Sequence, residues 1–139
     1  MKTLLIFLFI SVTVNAQSVF GKWKTFNSDG EFRSIVEVFE KDGYVNGRIV
    51  RIAVESKRNN LCTECKGKDK NQKIEGLVLM KKFVWDEDAY VNGTITNPDD
   101  GKVYRAKFWL DEENPNILRV RGYIGFFYKT MEWRRIPQS

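Results

Sequence analysis

Histidine is absent from the chain, cysteine occurs twice and proline three times. Without histidine the protein lacks the commonest general base and the commonest metal ligand. A structural zinc site needs four Cys or His ligands, so two thiols leave it half empty unless two chains share one ion. No metal, cofactor or enzymatic activity is therefore expected. Long apolar runs are also scarce. Residues 4–14, "LLIFLFISVTV", form the longest, and they fall short of the roughly 20 helical residues a bilayer requires. With Lys2 before this run and "NAQ" after it, residues 1–16 read as a secretory signal peptide cut after Ala16. No cysteine lies near Ala16, which argues against a lipid anchor at that point. The expectation is an exported protein, periplasmic or extracellular after cleavage, with no integral membrane segment. Residues 17–139 then form one domain, large enough to bury a real core without help from disulfides. The formal charge of +5 is a mild basic excess that favours anionic partners, but it falls short of the clustered stripe of a nucleic-acid binder.

What the chain does have is short apolar or aromatic runs separated by Gly, Asn and Asp clusters, the pattern of an all-β domain. Eight strands are expected, at residues 20–26, 34–39, 44–52, 74–83, 89–96, 103–110, 117–123 and 128–136. Asp42-Gly43 in "EKDGY" and Pro98 to Gly101 in "NPDDGK" carry turn chemistry, so consecutive strands should be antiparallel neighbours. In "VYRAKFWL", Tyr104, Ala106, Phe108 and Leu110 oppose Val103, Arg105, Lys107 and Trp109. In "ILRVRGY", Leu118 and Val120 oppose Arg119 and Arg121. One apolar and one charged face suit a single eight-stranded antiparallel up-and-down barrel, which leaves no open edge. A β-sandwich is the alternative.

Gly-x-Trp on the first strand ("FGKW") with an Arg on the last ("EWRRI") resembles the lipocalin and fatty-acid-binding barrels. The resemblance implies that Trp23 sits at the closed end and that an Arg packs across it. Gly21, Trp23 and Arg135, with Arg134 as the alternative, are the expected closure residues. The ordered set "GKW", "GRIV", "LCTECKGK", "IEGLVL", "NGTITNPDDGKVYRAKFWL", "LRVRGYIG" and "EWRR" is similar to an uncharacterised secreted bacterial domain family of unknown function, placed with lipocalin-like barrels. Where that family has a small-residue turn after "RGYIG", this chain reads "FFYKT".

Cys62 and Cys65 form a C-x-x-C within the one long insertion, residues 53–73. A redox pair wants its first Cys at a helix N-terminus, which a strand-to-strand loop does not supply. A local disulfide, Cys62 to Cys65, is the remaining reading in an oxidising compartment. For so small a ring it is worth only about 2 kcal/mol. The carboxylates of "WDEDAY" and "NPDDGK" do not fit calcium-loop spacing and read as turn residues. Arg105, Lys107, Arg119 and Arg121 make a basic ladder on the polar face, with Glu132 placed to offset part of it. The interior of an eight-stranded barrel either fills with side chains or holds one small ligand. Val36, Val38, Tyr104, Phe108 and Val120 are the expected ligand-facing residues. The functional expectation is a non-enzymatic barrel binding a small hydrophobic or amphipathic ligand, with Arg or Tyr at the rim for its polar head. The alternative is an envelope interaction module that presents the basic face or the Cys loop to an anionic component.

Overall fold

The computed structural model describes residues 18–138 together with Leu8 and Ile10, so apart from those two the expected signal peptide lies outside the described residues. Eight strands follow one another: β1 (Gly21–Phe26), β2 (Phe32–Lys41), β3 (Tyr44–Ile52), β4 (Val78–Asp86), β5 (Ala89–Thr96), β6 (Val103–Leu110), β7 (Ile117–Ile124) and β8 (Phe127–Arg135). Each pairs antiparallel with the next, and β8 returns to β1 to close the barrel. The up-and-down barrel expected from the alternation is thus the observed fold, and closure excludes the sandwich. Strands β3, β5 and β6 have the expected bounds.

The β2–β3 turn follows from its two residues, since Asp42 and Gly43 both take positive φ (54° and 81°). That is the geometry whose twist matches the flanking strands. The clearest departure from expectation is β4, which begins at Val78 rather than at residue 74. Ile74 and Leu77 belong instead to the β3–β4 connection, where Leu77 packs on Cys62 and Cys65 in a small satellite cluster with Ile74 against it. An apolar pair that serves a loop core looks, in sequence, like the start of a strand. Two short 3-10 turns, Glu55–Lys57 and Gly67–Asp69, complete that connection.

The inward faces build one core. Trp23, Val36, Val38, Phe83, Phe108, Leu118 and Val120 are sealed from solvent, each large apolar side chain contributing about 1.5–3 kcal/mol. Phe108 stacks on Tyr90 with centroids 5.0 Å apart and meets the edge of Phe83 at 4.9 Å. Phe83 in turn lies flat on β5 because position 93 is glycine. A Cβ there would stand 2.4 Å from the Phe83 ring. The strict alternation fails in β4, where Leu79 and Met80 are both buried and Lys82 takes a φ of 62°. The register against β3 slips at the same place, the signature of bulges that re-aim side chains.

Candidate functional site

The two ends of the barrel differ in chemistry. One end carries the β2–β3, β4–β5 and β6–β7 connections and the start of β1, with Trp23 just inside. The Arg135 guanidinium lies over the Trp23 ring at 4.3 Å and donates to the carbonyls of Ser18, Phe20 and Pro115. Trp23 Nε1 donates to the Val19 carbonyl at 2.9 Å. Burial lowers the Arg135 pKa from its ordinary value, and its Nε has no acceptor among the described residues. Gly21 lies under the same guanidinium, 3.8 Å from where its Cβ would be. The alternative, Arg134, is mostly exposed and pairs with Glu132. Gly21, Trp23 and Arg135 are therefore brought together across the β1–β8 seam, and this end is closed.

The other end is a mouth. A cavity of about 280 Å³ opens there, with Ile49, Leu79, Ile95, Met131 and Trp133 deep in its lining and Tyr104 and Ile124 beside them. Its polar groups are Thr25 and Ser34, whose hydroxyls share a 2.7 Å hydrogen bond, with Thr96, Asn97, Arg33 and Lys129. No carboxylate is in the lining. Of the residues expected to face a ligand, Tyr104 lines this cavity. Val36, Val38, Phe108 and Val120 do not. They are fully buried in the packed half of the barrel, because alternation identifies the inward face but not the height along the barrel at which packing ends. Lys129 was not foreseen. It stands in the inward register of β8 between Phe127 and Met131, opposite Gly122 of β7, and makes no ion pair among the described residues. A lysine in phase with Met131 and Trp133 was the available signal. A second hollow lies outside the closed end, bordered by Asp88, Asp111 and Glu112, and its acidic rim sets it apart from the mouth.

Cys62 and Cys65 are joined in a disulfide, and both are buried. Their loop leans on the β5–β6 turn at the mouth. The position of Gly101 (φ 71°) explains why that residue is glycine, since a Cβ would fall 1.9 Å from the Glu64 carbonyl oxygen. Lys81 of β4 holds the same loop through an ion pair with Asp69. From the other side Arg33 reaches Asp99 at 2.8 Å, so the turn is clasped between β2 and the Cys loop. Gly101→Ala is expected to push these two loops apart and to destabilise the protein by about 1–3 kcal/mol. Urea unfolding would measure the loss, and faster reduction of Cys62–Cys65 would locate it at the loop.

The basic ladder is divided. Arg119 is bound by Asp111 at 2.9 Å and by Glu132 at 3.1 Å. The Asp111 carboxyl is held below its ordinary pKa by Arg119 and by the backbone N–H groups of Glu113 and Asn114. Arg105, Lys107 and Arg121 make no ion pair among the described residues. Arg121 stacks instead on Tyr128 at 4.1 Å and Trp109 at 5.0 Å, and Lys107 lies 5.2 Å from Trp109.

A closed eight-stranded antiparallel barrel with an Arg over a Trp at one end and a cavity at the other defines the lipocalin-like class. The chain belongs to the family described as "Uncharacterized protein conserved in bacteria (DUF2147)", whose model matches residues 21–135. A similar solved structure is HP1028 from the human pathogen Helicobacter pylori, described as belonging to the lipocalin family. It shares 20% identity and a TM-score of 0.74, over 88% of this chain and 85% of that one. At that identity the likeness shows the fold alone. No curated protein matches. No helix among the described residues is long and apolar enough to cross a membrane.

Proposed function

We propose that the protein is an exported, non-enzymatic barrel that takes an amphipathic molecule with an acidic head into its mouth. The observation that carries this reading is the cavity lining, which is apolar in depth and holds two cations but no carboxylate. Burial of an apolar tail against Ile49, Leu79, Met131 and Trp133 would supply the affinity, at about 25 cal/mol per Å² removed from water. Lys129 would meet the head. Arg33 is already engaged by Asp99 and contributes mainly to the local field, while Tyr104 borders the tail. At about 280 Å³ the cavity lies near the low end of ligand pockets, about 300–1,000 Å³, which favours a short or partly inserted chain. Export rests on residues 1–16 and on a disulfide suited to an oxidising compartment.

Titration with a dansyl-labelled fatty acid tests the proposal. Saturable one-site binding is expected, reversed by unlabelled fatty acids more effectively than by alcohols of equal chain length. Absence of saturable binding, or equal competition by the alcohols, would reject an acidic amphiphile as the ligand.

A further inference from the structure

The hairpins of this barrel do not end alike. The β2–β3 turn is Asp42-Gly43, the β4–β5 turn holds Glu87 and Asp88, and the β5–β6 turn holds Asp99 and Asp100. The β7–β8 hairpin instead ends in Gly125-Phe126, flanked by Ile124, Phe127 and Tyr128. Phe126 is fully exposed, Phe127 is 79% exposed, and Ile124 and Tyr128 are more than half exposed. Arg121 lies over the Tyr128 ring, whereas Phe126 and Phe127 are left to solvent by the described residues. A contiguous apolar cluster of this kind at an accessible turn marks an interaction site.

Charge beside the cluster identifies the partner. On the outward face of β6–β8 the acids Asp111 and Glu132 neutralise Arg119, which lies toward the closed end. The half nearer the tip carries Arg105, Lys107 and Arg121, with Lys129 at the rim, and none of them is ion-paired among the described residues. Arg121 lies over both Tyr128 and Trp109, which fixes a cation beside the tyrosine below the apolar tip, with Trp109 one step further down, level with Arg119. Apolar residues at the end, aromatic and basic residues one level down: this is the order in which a lipid surface presents acyl chains, interface and anionic headgroups. The other carboxylates at this end without an ion pair among the described residues, Asp29, Glu31, Glu55, Glu64 and Asp100, stand on the β1–β2, β3–β4 and β5–β6 connections, so the approach is edgewise, over β6–β8.

We propose that the β7–β8 hairpin tip docks the barrel on an anionic phospholipid surface, with Phe126 and Phe127 entering the acyl boundary and Arg105, Lys107 and Arg121 meeting the headgroups. Because Ile124 and Lys129 also border the cavity, docking turns the mouth toward the lipid. The docking surface itself does not depend on what the cavity holds.

Co-sedimentation of the protein with vesicles tests it, using phosphatidylcholine alone and phosphatidylcholine with phosphatidylglycerol. Preferential partition onto the anionic vesicles is expected, weakening as salt rises. F126S/F127S and K107E/R121E should each reduce partition about tenfold or more while the far-UV spectrum and melting temperature stay those of the parent. F126S/F127S should leave dansyl-fatty-acid titration unchanged in vesicle-free solution, which separates failure of docking from failure of the ligand reading. Three results would overturn the proposal: no preference for anionic vesicles, equal partition of F126S/F127S and parent, or a tip-dependent homodimer or protein complex that forms while vesicles are ignored.

Discussion

Trp23→Ala is expected to cost about 3–5 kcal/mol, the range for removing a sealed Trp or Phe. Trp23 is fully buried, its Nε1 is bonded to the Val19 carbonyl and its face carries Arg135. The seam it serves is short. β1 and β8 pair at Trp23–Arg135 and Lys24–Arg134, with a further backbone bond from the Ile136 N–H to the Lys22 carbonyl, whereas β7 and β8 pair from Ile117–Arg134 to Ile124–Phe127. Arg135 over Trp23 therefore adds a side-chain contact across a short ladder. The loss is a large fraction of a typical domain stability of about 5–15 kcal/mol and should lower the melting temperature on the order of 10–20 °C. Trp23→Phe keeps an aromatic face under Arg135 and should recover most of it, short of the roughly 0.5–1.5 kcal/mol of the indole hydrogen bond. Urea unfolding measures both. A Trp23→Ala loss below about 1 kcal/mol would contradict the assignment of closure to this pair.

Lys129→Ala is expected to weaken binding of an acidic amphiphile about tenfold to a hundredfold, since hydrogen bonds to charged groups are worth about 1.5–3 kcal/mol. Lys129→Glu should weaken it further, because a carboxylate would then face the acidic head in a cavity lining that has none. A neutral alcohol of the same chain length supplies the control. Its affinity should change by less than about threefold, as tail burial is untouched. Lys129 is exposed and makes no ion pair among the described residues, so neither variant should disturb the fold. Equal effects on acid and alcohol would place the role of Lys129 in shaping the mouth, not in charge recognition.

The strand order and the Asp42-Gly43 turn were legible because each depends on local chemistry: period-two alternation and residues that accept positive φ. The site was less legible. Alternation placed Val36, Val38, Phe108 and Val120 inward, where they are, but where the filled half ends is a tertiary matter, with Phe83 and Tyr90 packing against Phe108. In β4 the register slip opposite Gly47 and Arg48 cancels the period that would have assigned Leu79 and Met80 to opposite faces, and a second slip at Lys82 turns Phe83 inward. Lys129 was hidden by the general rule that lysines point outward. Its inward register is set by pairing with Gly122, and that pairing depends on the two-residue turn at Gly125-Phe126. The "FFYKT" departure noted in the sequence thus contains both the rim lysine and the exposed aromatic tip.

The cargo proposed for the mouth cavity is a molecule with an apolar tail and an acidic head. Native mass spectrometry of the protein purified from the organism that makes it, followed by solvent extraction, tests this most directly. One adduct per chain is expected, released by extraction as an acidic amphiphile and depleted in Lys129→Glu. Protein that carries no adduct, or a neutral adduct retained equally by Lys129→Glu, would contradict it.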